Sequence, residues 1–333
     1  MPEKPYTPPY HVNSTIIQLI SEISEQVGIV TIKNEDIINP HLRRNNQIKT
    51  IHSSLAIENN TLSLEQVTDV INGKRILGAP NEIREVKNAY EAYNILLSFD
   101  PLKISDLLKA HKILMMDLAK ESGQFRSGGV GIFAGDTLVH MAPPADLVPK
   151  LIADLIYWVK NTDAHPLIKS CVFHYEFEFI HPFEDGNGRM GRMWQTLLLS
   201  QWKPVFAWLP VETLIRERQD DYYKILAVAD KAADSTLFIE FMLTIIRDAL
   251  NSQIQTEQVR EQVTEQVERL LNALENDTLS AKEILAKLNL KHRPTLSSNY
   301  LQPALELGLI EMTVPDKPNS SRQKYRVVKR VDL

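Results

Sequence analysis

Between positions 14 and 27 the apolar residues Ile16, Ile17, Ile20, Ile23 and Val27 recur at intervals that line one face of a helix. A polar stretch, KNEDIINPHLRRNN, leads to a second helix expected over about 47–58. Asn59-Asn60 interrupts it, and SLEQV opens a third helix with Ser63 as N-cap and Gln66 in the capping-box position. The same period runs through NEIREVKNAYEAYNILLSF, SDLLKAHKILMMDLA, DLVPKLIADLIYWVKN, PLIKSCVFHYEFEFI, RMWQTLLLSQW, DDYYKILAVADKA and LFIEFMLTIIRDAL. The pattern predicts a mainly helical, all-α fold.

One segment breaks the rhythm. GQFRSGGVGIFAGDTLVHMAPP, positions 123–144, carries five glycines, β-branched residues and a Gly-Asp turn signal. It predicts a short hairpin, 131–133 against 137–141. A lone hairpin among helices cannot bury both faces, so it reads as a functional flap. Beyond Asn251, TEQVREQVTEQVERLL repeats EQV every four residues and sets Val259, Val263, Val267 and Leu271 on one helix stripe. That predicts a linker helix over 251–275, with a dimerising helix as the alternative. SAKEILAKLNL, a turn at KHRP, TLSSNYLQPALELGLI and a final hairpin then predict a small winged-helix-like α+β domain at 276–333. The proline-rich start, MPEKPYTPPYHV, reads as an extended arm of a helical N-terminal region, 1–100.

Composition narrows the class without naming a chemistry. A chain of 333 residues with 44% hydrophobic and 24% charged positions can bury a sizeable core. Net charge −5 gives no whole-chain argument for nucleic acid or an anionic membrane. A single cysteine, Cys171, precludes an internal disulfide framework and points to a reducing compartment. Without a signal-peptide core or a run of about 20 apolar residues, the expected location is the cytoplasm, away from the membrane.

The chemistry concentrates in HPFEDGNGRMGR, 181–192. Its glycines lie in a loop that opens a helix, where unpaired amides and the helix dipole favour an anion. Gly186 and Gly188 let the backbone approach a ligand closely. Arg189 and Arg192, three apart, present two guanidinium groups on one side. Such a cluster suits a di- or triphosphate better than a single phosphate. Asp185 is the natural Mg²⁺ ligand, because a hard cation on phosphate oxygens needs only one or two protein carboxylates. His181 is the candidate general base, with an incoming hydroxyl as its proton source. No Walker A loop occurs, and GGVGIFAG has neither the spacing nor the βαβ setting of a dinucleotide loop. The plainer alternative is a helix–loop–helix corner with a capping Asn187 and solvated arginines; seven such residues in order weigh against it.

HPFEDGNGRMGR matches in full H-x-F-x-[DE]-G-N-G-R-x-x-R, the signature of the Fic (filamentation induced by cAMP) family, which the chain resembles over about 42–250. HYEFEFI, the FR…VHMAPP hairpin and DDYYKIL agree with it in position. The resemblance implies a catalytic core at 101–250 that transfers AMP from ATP to a Ser, Thr or Tyr hydroxyl of a protein. It implies that His181 deprotonates the hydroxyl and Asp185 binds Mg²⁺ across the α- and β-phosphates. The amides around Gly186, Asn187 and Gly188, with Arg189, would cradle the phosphates, and Arg192 would hold the γ-phosphate. The flap near Val139 and His140 would dock the target chain by strand addition. Tyr222 and Tyr223 match an adenine-lining pair, with packing at helical spacing as an equal alternative. Asp230 stands where the family pattern leads one to expect a neutral amide.

SSLAIENN matches a second family element, [ST]-x-x-x-E-[GN], at Ser54, Glu58 and Asn59. The implied inhibitory helix, about 47–59, would pair Glu58 with Arg192 and misdirect the nucleotide. AMP removal through Glu58, transfer to the chain itself and another nucleotide donor stay open. His174 could join His181 and Asp185 as a metal ligand but reads better as a packed histidine. The terminal domain carries Lys287, Lys291, Arg293, Lys317, Arg322, Lys324, Arg326, Lys329 and Arg330. That excess permits DNA contact without favouring it. A DNA-binding regulator with a nucleotide-sensing core is therefore the alternative to the enzyme, and the intact His181 argues for the enzyme.

Overall fold

The structure, a computed structural model, describes residues 6–34, 40–134, 137–275, 277–315, 317, 320 and 322–328. It divides into two compact units, Met1–Asn251 and Ser252–Leu333. The first holds α1 (Ser14–Asn34), α2 (Pro40–Ile57), α3 (Leu64–Ile71), α4 (Pro80–Asn94) and α5 (Ile104–Leu114). The hairpin β1 (Gly131–Ala134) and β2 (Thr137–Met141) follows, then α6 (Val148–Asn161), α7 (Pro166–Ile180), α8 (Asn187–Trp202), α9 (Val211–Glu217), α10 (Gln219–Ala232) and the start of α11 (Thr236–Gln262). The fold is mainly helical, as the periodicity predicts.

The centre of this unit is α7, whose residues are buried nearly all round, the polar Ser170, His174, Glu176 and Glu178 included. Cys171, Val172, Phe173, Phe177 and Ile180 are all buried, and α8 lies alongside. Ser63 caps α3 in a full capping box with Gln66, and Pro166 enters α7 in its first turn, where a missing amide costs nothing. α5 stops at Leu114 rather than continuing through MMDLA. Asn88 Nδ2 donates to the carbonyls of Leu114 at 3.3 Å and Met116 at 2.7 Å, satisfying groups that another helical turn would have used. The proline-rich arm is docked: Tyr6 donates its hydroxyl to Glu176 at 2.7 Å, and the Ser235 amide donates to the Pro9 carbonyl at 3.0 Å.

The hairpin pairs antiparallel, with a register irregularity between Ile132 and Phe133, and β2 runs beside α10. The side chains of 132–140, including Val139 and His140, lie outside the described residues.

The second unit contains α12 (Glu265–Leu274), β3 (Leu279–Ser280), α13 (Ala281–Lys287), α14 (Arg293–Leu296), α15 (Gln302–Glu306), β4 (Ile310–Met312) and β5 (Lys324–Val327). Its sheet has the order β3-β5-β4, antiparallel throughout. The EQV repeat does not form one continuous stripe, contrary to the sequence expectation. α11 ends at Gln262, and Thr264 starts α12 as an N-cap whose hydroxyl accepts from the Val267 amide at 3.3 Å. Val267, Leu270 and Leu274 then join Ile284, Leu296 and Tyr325 in one core, so α12 is part of this unit.

Two of the expected basic groups are already paired, Lys287 with Asp277 at 2.9 Å and Arg326 with Glu311. Lys329 and Arg330 lie outside the described residues. Among the described residues no helix is long and apolar enough to cross a membrane.

Candidate functional site

α7 ends because His181 turns left-handed, with φ 48° and ψ 63°, while its amide still donates to the Phe177 carbonyl at 2.9 Å. That conformation costs an L-residue about 1–2 kcal/mol. Here it is restrained by Arg126, whose Nε donates to the His181 carbonyl at 2.7 Å and whose amide donates to the Pro182 carbonyl at 2.9 Å. His181 Nδ1 lies 3.3 Å from the Glu178 carbonyl. A carbonyl can only accept, so Nδ1 carries the proton and Nε2 is the basic nitrogen.

The rest of the loop is braced from inside. Phe183 is fully buried and stacks on the His111 ring, with centroids 3.6 Å apart and planes within 3°. Gly123 donates its amide to His111 Nδ1, so Nε2 carries the proton and donates to the Asp185 carbonyl at 2.9 Å. Burial lowers the His111 pKa to about 4, which keeps the ring neutral and this tautomer fixed. Asn187 accepts from the Phe183 amide and donates to the Phe183 carbonyl, both at 2.9 Å. Its side chain therefore closes the loop rather than reaching outward. Gly186 has φ 85°, and a Cβ there would stand 2.7 Å from Met115 Sδ. The chain thus arrives at the N-terminus of α8, where first amides without intrahelical partners favour an anion.

Both signature arginines are buried and engaged. Arg192 donates from Nε to Ser54 Oγ at 3.1 Å, and from Nη2 to the Ser54 carbonyl at 3.0 Å and to Glu58 Oε1 at 2.8 Å. Burial opposes its charge, but its neighbours, Glu58 first among them, together outweigh that cost and hold the guanidinium above its ordinary pKa. Gly188 gives this pair room, since a Cβ there would collide with Glu58 Oε1. Glu58 follows the end of α2, and Asn59 is left-handed with φ 68°. Arg189 donates to Glu85 Oε1 at 3.2 Å and to Asp185 Oδ1 at 3.0 Å, while among the described residues its buried Nε has no hydrogen-bond partner. The Asp185 side chain is 60% exposed. One accessible carboxylate beside an anion-binding helix end is a donor set that fits Mg²⁺ shared with phosphate oxygens.

Behind Arg192 lies a buried polar group. His174 Nδ1 donates to Gln195 Oε1 at 2.6 Å, which leaves Nε2 to accept from the Tyr222 hydroxyl at 3.0 Å. Burial lowers the His174 pKa to about 3, so it is a neutral packed histidine. Among the described residues no three His, Cys, Asp or Glu side chains gather as metal ligands. Burial raises the Glu178 pKa to about 8 against the pull of Arg192.

The tyrosine pair divides. Tyr222 is 1% exposed and packs against His174, Phe238 and Phe241, as the packing alternative expects. Tyr223 is 44% exposed and donates to the Ile57 carbonyl at 3.4 Å. Asp230 accepts from the Tyr175 hydroxyl at 3.0 Å. Sequence reasoning missed His111, Arg126 and Glu85. The only trace of them was Arg126 in the FR…VHMAPP hairpin.

The Fic/DOC family model matches residues 101–199, and the model described as Filamentation induced by cAMP protein Fic-like, C-terminal domain, matches 265–328. A Fic family protein from Desulfovibrio desulfuricans G20, known from its crystal structure, is 56% identical. The TM-score is 0.74, and the match covers 98% of this chain and 99% of that one. The Aedes aegypti protein named Protein adenylyltransferase Fic is 30% identical over 208 residues, which is 59% of this chain and 39% of the relative. This chain therefore spans well under half the length of that relative. Fic-1 (aa134 - 508) from C. elegans shares the fold at 22% identity and TM-score 0.59, covering 74% of this chain and 72% of that one.

Proposed function

This chain belongs to the Fic family, and from that premise we propose that it is a Mg²⁺-dependent protein adenylyltransferase held idle by its own Glu58. The reading takes ATP as donor and a Ser, Thr or Tyr hydroxyl of a protein as acceptor. The observation that carries it is one loop, in which the basic Nε2 of His181 and the anion-binding end of α8 stand with Arg189 and Arg192. Such a loop suits phosphorus transfer, where the protein contributes mainly position and charge.

In the proposed step the acceptor oxygen attacks the α-phosphorus and the bond to pyrophosphate breaks. His181 Nε2 takes the hydroxyl proton, and pyrophosphate leaves with the electron pair. The α8 amides and Arg189 bind the polyphosphate, and Arg192 orients it through the γ-phosphate. Asp185 would hold Mg²⁺, which when bound neutralises charge on the polyphosphate. β2 is the docking strand for the acceptor chain, by edge pairing.

Inhibition follows from competition for one guanidinium. Glu58 Oε1 lies 2.8 Å from Arg192 Nη2, so the γ-phosphate meets an occupied partner. Its α-phosphorus is then misaligned for attack. Labelling with α-labelled ATP tests both halves. Glu58→Gly should raise label on protein above wild type, His181→Ala in that background should abolish it, and γ-labelled ATP should give none. Equal labelling by wild type and Glu58→Gly would sink the inhibitory role. Absence of α-label from both proteins would sink the transferase. Intact-mass analysis with different nucleotides then identifies the donor and detects transfer to the chain itself.

A further inference from the structure

Arg126 is 3% exposed and, among the described residues, has no carboxylate partner. Among the described residues, its side-chain hydrogen bonds all go to backbone carbonyls. Nη1 donates to Gly128 at 2.8 Å, Nη2 to Pro143 at 2.6 Å and Ile180 at 3.3 Å, and Nε to His181 at 2.7 Å. Gly128 and Pro143 stand on either side of the β1–β2 hairpin, just outside its strands. Ile180 and His181 end α7, where carbonyls lack amide partners and a cation is stabilised by the helix dipole. One rigid guanidinium thus closes the base of the hairpin and grips the peptide of the left-handed His181. Its own amide takes the next carbonyl, Pro182.

We propose that Arg126 is a positioning residue for the transfer step, locking the base nitrogen of His181 and the docking hairpin into one body. The proposal rests on the reading of His181 as the base. It also links two events that the loop alone leaves separate. An acceptor chain paired on β2 bears on a hairpin whose two feet share a guanidinium with the His181 carbonyl. Without that grip, the left-handed His181 loses the guanidinium that holds its carbonyl. A turn of its backbone would carry the ring off the Glu178 carbonyl and mix the two tautomers. Misplacement by about 1 Å costs on the order of 100-fold in such steps. Lysine can replace the charge but cannot span four carbonyls, because it lacks the planar fork.

The test uses full-length Glu58→Gly protein carrying Arg126→Lys or Arg126→Met. Initial rates of AMP transfer are measured alongside MgATP affinity by calorimetry and His181 ring ¹⁵N shifts, with His181→Ala identifying the signals. The expected result for Arg126→Met is a kcat lower by about 100-fold with KM for ATP within about twofold. Arg126→Lys should fall between it and the parent. In both variants the ring shifts should move from the Nδ1-protonated form toward a mixture.

Ring shifts unchanged in both variants overturn the proposal, whatever the activity. A kcat within about threefold of the parent also overturns it, as does a parallel loss of kcat and ATP affinity. Failure of both variants to fold would reduce Arg126 to a structural tie and overturn it too. An inactive Glu58→Gly parent would count against the adenylyltransferase reading instead, and the ring shifts would still decide the role of Arg126.

Discussion

Replacing Glu178 by Gln should flatten the dependence of stability on pH between 6.5 and 8.5. Glu178 sits on α7 at 9% exposure, and among the described residues its Oε1 has no hydrogen-bond partner. Burial raises its pKa to about 8 in the folded protein, whereas an unfolded glutamate titrates near 4.3. Between those values the folded chain holds a proton that the unfolded chain has lost. The resulting stabilisation is therefore complete at low pH and disappears as pH rises through 8. Each pH unit in that interval costs about 1.4 kcal/mol until Glu178 itself ionises. From pH 6.5 to 8.5 the loss is about 2 kcal/mol, or about 4–8 °C in Tm for a unit of this size. Glu212 and Glu176, each raised to about 7 chiefly by burial, act in the same direction but level off above that pH. His174 and His111, lowered to about 3 and about 4 by burial, act in the opposite direction and only below about pH 6.5. Scanning calorimetry of wild type and Glu178→Gln at several pH values separates the contributions. Wild type should melt lower at pH 8.5, and the variant should retain only the shallower part of that fall. A variant as steep as wild type, or a wild type more stable at pH 8.5, would refute the argument.

Gly186→Ala should cost about 1–3 kcal/mol by forcing a side chain into φ 85° beside Met115, and should lower both Tm and AMP transfer. Ser54→Ala removes the hydroxyl that accepts from Arg192 Nε, and a denaturant midpoint should show a loss of about 1–3 kcal/mol. Tyr222→Phe leaves His174 Nε2 without its donor, so stability should fall by about 1–3 kcal/mol while KM for ATP stays within about twofold. A much larger rise in KM would place Tyr222 in the pocket wall instead. Chelation with EDTA should abolish labelling by Glu58→Gly protein, and added Mg²⁺ should restore it.

The signature segment was legible because its chemistry lies within twelve consecutive residues, where spacing alone brings base, acid, glycines and arginines together. The helices were legible because a buried face imposes a 3.6-residue period. What stayed hidden works through backbone carbonyls, which leave no pattern in sequence. Arg126 reaches His181 across 55 positions and His111 reaches Asp185 across 74. The Asn187 amide was expected in the phosphate cradle, whereas the work of its side chain, which spends both ends on Phe183, left no signal. Tyr222 and Tyr223 are adjacent, so on a helix they take different faces even though their rings touch edge to face, and one is interior while the other is exposed. The EQV repeat looked continuous because Thr264 can sit in a helix or cap one, and its hydroxyl does the latter.

The turn after α2 bears on both arginines of the loop. Glu58 meets Arg192 directly, while Asn60 donates to Glu85 Oε2 at 2.7 Å and Glu85 in turn holds Arg189. The strength of the first contact decides whether it can act as a switch. Breaking a fully buried ion pair costs about 3–5 kcal/mol, whereas an exposed one contributes about 1 kcal/mol or less. Here Arg192 is 1% exposed and Glu58 31%, so the pair lies between those limits. Glu58 follows the helix, and Asn59 is already in a left-handed turn, so withdrawing the carboxylate unwinds no α-helix. Ser54 keeps its two contacts with Arg192 when Glu58 leaves, and the guanidinium remains in place for another anion. On the proposed reading, the Glu58 carboxylate can therefore leave Arg192 without unfolding its support, and release requires no melting of the helix.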